Sequence, residues 1–267
     1  MEVSKPREIN NAAGYSVTNT HNCPIHGNYD VRTLYVIDRA IHSSTQCPKC
    51  KVENDKVTAE EAERRARIDA ERQRKQKQKA LHDAALVPDR YWLASLRSYE
   101  AKTTGQKNIL KKLTEYAEKW PLRRQYGTSL MLLGLPGTGK THLACSLIFE
   151  VTQQMGSARF TTVADFSRAI RATYSPAAKE NEQDVLDRFT NYGFLVIDEV
   201  GSSSGSDHEK QALFDLINRR YNAVAPTMLL SNLSLEEVRE FLGERIMDRL
   251  REGGGKVFVL DWESYRK

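Results

Sequence analysis

The sequence has no apolar run that approaches the roughly 18 residues of a membrane-spanning helix. Its first residues, MEVSKPREINNAAG, also lack the apolar region of a secretion signal. Strong net charge is absent as well, since the formal charge is +5 over 267 residues. These absences predict a cytoplasmic protein with no membrane partner. Its length suffices for one large domain with an appendage.

Cysteine is scarce, and three of the four cysteines fall in the first fifth of the chain. In a cytoplasmic protein this usage argues against a disulfide framework and for a bound metal. The segments CPIHG and CPKC each hold two ligand residues separated by two others, and a tetrahedral zinc ion requires four such ligands. The predicted zinc ligands are Cys23, His26, Cys47 and Cys50.

This first segment, residues 1–57, is predicted to be a small zinc-binding module. The run YDVRTLYVI between the two ligand pairs is typical of a strand. Four protein ligands leave no open coordination position, so the zinc would be structural. Two alternatives stay open: His21 or His42 takes the place of His26, or the residues are buried cysteine pairs without metal.

Residues 58–87 are predicted to form a basic helical linker. Thr58 and Glu61 have the spacing of a capping box, which predicts that the helix begins there and continues toward Pro88. Large apolar residues are nearly absent from Ala59 to Lys79, so the helix must be exposed. Its basic side chains would serve as an arm for DNA or a partner, or simply as a solvated spacer.

The third segment, residues 88–267, alternates short apolar runs with amphipathic helices. Near-continuous apolar strands separated by helices predict an α/β fold, with a parallel sheet that helices cover on both faces. Functional residues are then expected at the carboxyl ends of the strands. The predicted strands are SLMLLG, ARFTTV, FLVIDE, TMLLSN and KVFVL.

GLPGTGKT follows the first of these strands and precedes the helix HLACSLIFEV. This is the complete phosphate-loop spacing in its required context. Backbone amides would hold the phosphates of ATP, Lys140 would span the β- and γ-phosphates, and Thr141 would bind Mg²⁺. Cys145 is predicted to be a core residue. The predicted nucleotide-binding residues are Gly134, Pro136, Gly137, Thr138, Gly139, Lys140, Thr141, His142 and Asp198, although His142 would equally suit an exposed helix surface.

Polar residues also end or follow the predicted strands FLVID and TMLLS, at the sheet edge where the active site is expected. Asp198, at the end of FLVID, is predicted to complete the Mg²⁺ site, and Glu199 beside it to polarise the attacking water. Asn232, after TMLLS, would orient the same water against the γ-phosphate, although asparagine is also a common turn former. The set predicts hydrolysis of ATP.

These residues resemble those of the AAA+ ATPases, and more narrowly the DnaC-type replicative helicase loaders. The resemblance covers the chain from about Val87 onward. It implies a RecA-like core, an oligomer bridged by ATP, and a DnaB-type replicative helicase as partner, with the N-terminal module in contact with the helicase. The similar segments are GLPGTGKTHLA, TVADF, LVIDEVG, LLSNLSLEE, LGERIMDRL and LDWESYR.

The resemblance also suggests roles for three arginines. Arg245 and Arg249 lie four apart in GERIMDRL, on one face of a helix. Arg249 is expected to contact the γ-phosphate in a neighbouring subunit, with Arg245 in support; the alternative is a pair of surface arginines. Arg266 matches a sensor arginine that contacts ATP in the same subunit, with a surface arginine as the alternative. Little or no helical lid is expected after it.

A candidate surface for single-stranded DNA lies in VADFSRAIRATYSP. Phe166 and Tyr174 would stack on bases, and Arg168 and Arg171 would neutralise phosphates. Phe166 and Ile170, four apart, would equally form the buried stripe of an amphipathic helix.

The leading hypothesis is an ATP-dependent loader that delivers a replicative helicase onto single-stranded DNA. A transposition helper ATPase of the IstB type shares the phosphate loop and the acid pair. A small-molecule kinase is less compatible with Glu199 beside Asp198. A non-catalytic zinc protein that binds DNA is the alternative from outside the enzymes.

Overall fold

The computed structural model describes residues 15–36, 39–42, 46–154, 156–202 and 207–265. The chain divides into two compact units, Met1–Gln73 and Arg74–Lys267. Among the described residues, none of the helices combines the length and the apolar character that crossing a membrane requires. The three-part functional division at residues 57 and 87 stays a proposal.

The first unit contains a three-stranded antiparallel sheet in the order β1-β2-β3, with β1 at Tyr15–Cys23, β2 at Gly27–Val36 and β3 at Arg39–His42. The predicted strand is therefore confirmed as β2, and β1 was not expected. The hairpin turn between β1 and β2 contains His26, and Cys23 pairs with Gly27 at its base. The turn thus places Cys23 and His26 side by side.

Helix α1, Pro48–Ala84, starts ten residues earlier than predicted. A proline is favourable at the first helical position, so the CPKC segment leads directly into the helix. The predicted capping box at Thr58 is wrong, because Thr58 lies inside the helix and its hydroxyl donates to the Asn54 carbonyl at 2.9 Å. The expected exposure is confirmed, since residues 51–77 are all exposed.

The second unit is the predicted parallel α/β domain. All five predicted strands are present: β4 at Leu130–Gly134, β5 at Ala158–Thr162, β6 at Phe194–Asp198, β7 at Thr227–Ser231 and β8 at Lys256–Leu260. The helices are α2 at Thr104–Glu118, α3 at Trp120–Gln125, α4 at Lys140–Gln153, α5 at Val163–Ala172, α6 at Glu182–Thr190, α7 at Asp207–Asn222, α8 at Leu235–Leu242 and α9 at Glu244–Arg251.

The strand order is β5-β6-β7-β4-β8, and all four pairings are parallel. Strand β7 is therefore inserted between β4, which leads into the phosphate loop, and β6, which ends in the acid pair. In a parallel sheet the carboxyl ends share one edge. This order places the residue after β7 between the phosphate loop and the acids.

Side chains of β4 alternate between two apolar layers, as the two-residue period of a strand requires. Leu130 and Leu132 join the layer that contains α2 and α4, whereas Met131 and Leu133 join the layer that contains α5 to α9. Cys145 is fully buried in the first layer, which confirms it as a core residue. Burial on both faces fixes the strand ends, and therefore the loops that follow them.

Arg220 is a fully buried cation that the sequence analysis missed. Its guanidinium donates to the carbonyls of Phe189, Thr190 and Tyr192 at 2.8–3.0 Å, to the Pro226 carbonyl at 2.6 Å and to the Thr227 hydroxyl at 2.9 Å. Burial lowers its pKa to about 9. The arginine joins the end of α6 to the start of β7, and so helps to set the height of β7 in the sheet.

Candidate functional site

The phosphate loop connects β4 to α4 and adopts a conformation that glycine permits. Gly137 and Gly139 have φ values of 84° and 94°, in the left-handed region where a side chain is strained. Gly139 is the residue that precedes α4, so the loop delivers its amides to the amino end of that helix. A helix amino end with free backbone amides favours phosphate oxygens.

Lys140, Thr141 and Asp198 meet at the start of α4. The Thr141 hydroxyl donates to Asp198 Oδ2 at 2.8 Å, and the Glu199 amide donates to Asp198 Oδ1 at 2.7 Å. The Lys140 ammonium donates to the Gly134 and Leu135 carbonyls at 2.6 and 2.9 Å. Burial raises the pKa of Asp198, although both hydrogen bonds oppose the shift. A hydroxyl and a carboxylate so arranged suit Mg²⁺.

Glu199 and Asn232 line the same cleft as Lys140 and Asp198. Glu199 has a φ of 63°, an uncommon conformation for a residue with a side chain. The next residue, Val200, holds the turn in place: its amide donates to the Leu230 carbonyl, and its carbonyl accepts from the Ser231 hydroxyl at 2.6 Å. The sheet thus brings the two residues predicted to act on water into one cleft.

The cleft encloses about 910 Å³, a volume that suits a nucleotide. Part of the cleft lining was not predicted, because it comes from separate segments before the phosphate loop and after β8. His142 on α4, a predicted nucleotide-binding residue, also lines the cleft; it is half-buried, and its ring lies 3.3 Å from the Ser95 carbonyl. Burial lowers the pKa of His142. The additional lining residues are Arg90, Tyr91, Ser98, Tyr99, Glu100 and Tyr265.

Arg249 lies far from this cleft along the strands. It lines a second cleft of about 490 Å³, together with Ser129 and Thr227 at the amino ends of β4 and β7. Its guanidinium donates to Asn218 Oδ1 and stacks 5.1 Å from the Tyr221 ring centroid. Five-residue strands place the two sheet edges about 16 Å apart. Within one chain, Arg249 is therefore on the opposite sheet edge from the phosphate loop.

The structure says less about the other two arginines with predicted roles at the nucleotide. Arg245 is exposed on α9, one turn before Arg249. Arg266 lies outside the described residues. The catalytic roles of the three arginines, of Glu199 and of Asn232 stay predictions.

The four predicted zinc ligands meet in the first unit. Cys23, His26, Cys47 and Cys50 each offer one ligand atom, and all four atoms lie within 4.8 Å of one another. The Cys23 and Cys50 sulfurs are 3.6 Å apart, and His26 Nδ1 lies 3.3–3.9 Å from the three sulfurs. A tetrahedral zinc with bonds of about 2.3 Å to sulfur and 2.0 Å to nitrogen requires ligand separations of roughly 3.5–3.8 Å. The arrangement fits zinc.

The surroundings of the cluster also suit a metal. Backbone amides of Ile25 and His26 lower the pKa of Cys23 to about 6, which favours the thiolate that binds zinc. His26 Nε2 lies 3.2 Å from Glu53 Oε1, the partner that fixes a ligand histidine in other zinc sites. Among the described residues His21 is outside the cluster and stacks on Tyr29. The His42 side chain lies outside the described part.

Of the two aromatic residues predicted to stack on DNA bases, only one is exposed. Phe166 is fully buried and contacts Phe189 edge to face at 5.2 Å, so the core interpretation is confirmed and base stacking by Phe166 is wrong. Tyr174 is exposed, with its hydroxyl 2.8 Å from His208 Nδ1. Arg168 pairs with Asp165 at 2.5 Å. Binding of DNA by this face stays a prediction.

The sheet has the order β5-β6-β7-β4-β8, and its carboxyl edge carries the phosphate loop, the acid pair and the polar residue after β7. These features define a nucleotide-binding protein with the AAA+ arrangement. The chain belongs to the IstB-like ATP binding protein family, whose model matches residues 51–267.

Similar proteins support the same class. The chain is 36% identical to the replicative helicase loader DnaC of Escherichia coli K12 over 172 residues, 64% of this chain and 69% of the relative. The crystal structure of the DnaC helicase loader superposes with a TM-score of 0.57 at 25% identity, over 64% of this chain and 98% of that one. AMPPCP-bound DnaA from Aquifex aeolicus superposes with a TM-score of 0.52 at 19% identity, over 65% of this chain and 50% of that one. The expected AAA+ fold is confirmed.

Proposed function

We propose that this protein is a cytoplasmic ATPase that loads a replicative DNA helicase of the DnaB type onto single-stranded DNA. The observation that carries the proposal is the separation of Arg249 from the phosphate loop of its own chain. The cleft at the carboxyl edge of the sheet supplies the groups that bind and hydrolyse ATP, and Arg249 lies at the amino edge. In this proposal Arg249 therefore acts on the nucleotide of a second copy.

Hydrolysis follows from the groups in the nucleotide cleft. Lys140 and the loop amides bind the phosphates. Thr141 and Asp198 would hold Mg²⁺, which would neutralise charge on the phosphate oxygens. Glu199 accepts a proton from the attacking water, and Asn232 orients that water. Arg249 of a neighbouring copy stabilises the charge that develops on the γ-phosphate. The supporting geometry is the hydrogen-bonded set of Thr141, Asp198 and Glu199.

Zinc stabilises the first unit in this proposal. The Cys–His cluster would hold the ion, and outside the cluster Val31 is the one buried apolar residue among those of the first unit whose burial the structure describes. The ordered module then presents the surface that contacts the helicase. Support for the helicase as partner comes from the similarity to the DnaC loader of Escherichia coli. The exposed basic side chains of α1 and α5 are candidates for contact with single-stranded DNA.

Co-elution with a hexameric replicative helicase in the presence of ATP tests the proposal. The full chain is compared with a chain that starts at Arg74, because a cut at Pro88 would remove Gln78, His82 and Ala85, which are buried in the second unit. We expect a complex with the full chain, and its loss in the shortened chain, which should still bind ATP. No complex with the full chain would contradict a loader.

The same experiment distinguishes the transposition helper. The description of the matching family model names IstB, which keeps this second candidate under test. A helper of that type would form ATP-dependent filaments on duplex DNA and would not co-elute with the helicase. We expect binding of single-stranded DNA and no such filaments.

A further inference from the structure

The phosphate loop is held from outside by a segment that follows β8. Two consecutive loop carbonyls accept hydrogen bonds there. The Gly137 carbonyl accepts from the Tyr265 amide at 2.9 Å. The Thr138 carbonyl accepts from the Trp262 indole Nε1 at 2.9 Å and from the Tyr99 hydroxyl at 3.2 Å. We call residues 262–265 the tail segment.

The tail segment is itself anchored to the chain before the phosphate loop. The Tyr265 hydroxyl donates to the Glu100 carbonyl at 2.8 Å, and the Tyr265 ring lies edge to face with Tyr99 at 5.6 Å. The Lys102 ammonium lies 6.0 Å from the Tyr265 ring centroid. Trp262 is half-buried and packs against the apolar layer that contains α4. The loop is therefore enclosed between two segments that also contact each other.

This enclosure leaves no room for a side chain at Gly137 or Gly139. A Cβ atom at Gly137 would lie 1.9 Å from Ser264 Oγ, and one at Gly139 would lie 2.7 Å from a ring carbon of Tyr99. The loop glycines are thus required by close packing as well as by their positive φ. A displacement of the tail segment would remove both the packing and the carbonyl partners.

We propose that the tail segment is a positioning element of the nucleotide site, with Trp262 as its main contact. A phosphate loop binds phosphate when its amides face the ligand, which requires its carbonyls to face outward. Trp262, Tyr99 and the Tyr265 amide provide outward-facing partners for two of those carbonyls. The tail segment therefore sets the affinity for MgATP. This inference rests on the proposed ATP binding, and Trp262 itself does not contact the reacting atoms.

Trp262→Phe in the full chain removes the indole donor and keeps an aromatic ring. One hydrogen bond contributes about 1 kcal/mol, so we expect the Kd for MgATP to rise about fivefold. KM should rise in parallel, with kcat at saturating MgATP unchanged. Trp92→Phe is the matched control, because Trp92 is a half-buried tryptophan outside the cleft lining and should leave Kd unchanged.

Tyr99→Phe provides a second test of the same carbonyl. Each single variant leaves one donor on the Thr138 carbonyl, so the double variant should weaken MgATP binding by more than the product of the single effects. If Trp262→Phe does not fold, Tyr99→Phe alone tests the inference, because phenylalanine keeps the ring of Tyr99 and removes only its hydroxyl.

Two outcomes would overturn the inference: an unchanged Kd in the double variant, or a fall in kcat without a change in KM. Wild-type protein that does not bind MgATP would contradict the proposed function instead.

Discussion

The two units of this chain are stabilised in different ways. The second unit buries two continuous apolar layers on either side of its sheet. The first unit buries only Cys23, Val31, Cys47 and Thr33 among the residues whose exposure the structure describes. A sheet with so little apolar contact cannot offset the conformational entropy of its own chain. The comparison indicates that the second unit folds by apolar burial, whereas the first would depend on the zinc proposed for its Cys–His cluster.

Their functional sites differ in the same manner. With zinc bound as proposed, the Cys–His cluster would be the main stabilising centre of the first unit, so loss of its ligands should unfold that unit. The nucleotide cleft lies at the edge of a sheet that is already stable. Its residues can therefore be changed with large effects on activity and small effects on folding. The following experiments address this contrast, from the largest expected effect to the smallest.

Removal of zinc should unfold the first unit and leave the second intact. Structural zinc contributes on the order of 10 kcal/mol to folding, and the first unit has no large apolar core to replace it. Limited proteolysis with a zinc-selective chelator that does not bind Mg²⁺ should give cleavage within residues 15–50, while MgATP binding is retained. Cys50→Ser should behave like the chelated protein. His21→Ala is the control, since His21 is outside the cluster; equal proteolysis of this variant would contradict the assignment.

Arg249→Ala should lower ATP turnover about 10³-fold, a barrier increase of about 4 kcal/mol. MgATP affinity of a single copy should not change, because within one chain Arg249 lies at the opposite sheet edge from the nucleotide cleft. Arg251→Ala, an exposed arginine of the same helix, is the matched control. Steady-state turnover and equilibrium binding are both measured.

Mixing two inactive variants sharpens this test. Lys140→Ala should abolish nucleotide binding but keep Arg249. In a mixed oligomer its arginine would reach the nucleotide of an Arg249→Ala neighbour, so partial recovery of turnover is expected. Absence of recovery, with oligomers present, would argue against an arginine supplied by a second copy.

Arg220→Leu should destabilise the second unit by about 3 kcal/mol, because three buried and two partly buried oxygens lose their donor. Urea unfolding of that unit measures the loss. Arg219→Leu is the control: Arg219 makes surface hydrogen bonds with Asp187 and Gln183, and its loss should reduce stability by less than about 1 kcal/mol. Equal losses in the two variants would show that burial of Arg220 is not the cause.

Asp198→Asn should slightly stabilise the nucleotide-free protein. Burial raises the pKa of Asp198 above its unfolded value, so the folded state favours the protonated carboxyl, and this contribution is lost as pH rises through the folded pKa. At neutral pH the buried charge is therefore unfavourable, and we expect a melting temperature about 2 °C higher for the neutral amide.

The pH dependence provides the check on this small effect. The gain from Asp198→Asn should shrink as pH falls toward the raised pKa, because the wild-type carboxyl then becomes neutral too. Melting curves without nucleotide or Mg²⁺ at two pH values measure it. Asp248→Asn, at an exposed position on α9, is the control. A destabilised Asp198→Asn protein would contradict the expected sign.

Local patterns explain which parts of the site could be predicted. The phosphate loop and the acid pair are continuous in sequence, and each follows a short apolar strand whose type is clear from composition. The zinc ligands were found from two pairs whose spacing is local. The predicted start of α1 was wrong. The capping-box spacing at Thr58 suggested a helix start there, whereas Pro48 in the CPKC segment favours a start ten residues earlier.

Contacts between distant segments explain what was missed. Tyr99 and Trp262 donate to the same carbonyl, yet they are more than 160 positions apart in the chain. Arg220 looks like an ordinary basic residue of an amphipathic helix, and only the fold shows the five oxygens around it. Strand β1 has too polar a sequence, YSVTNTHNC, for a buried-strand pattern. None of these three features can be recognised from a short stretch of the sequence.

The position of Arg249 and the phosphate loop on opposite edges of one sheet restricts the symmetry of an assembly in which Arg249 reaches the nucleotide of a neighbour, as proposed. A contact that joins these two surfaces is heterologous, because each copy uses a different face toward each neighbour. A twofold dimer cannot be built from it. Repetition gives either a closed ring or a helical array, and an open array has two unequal ends. One end would carry a nucleotide without an arginine, and the other an arginine without a nucleotide.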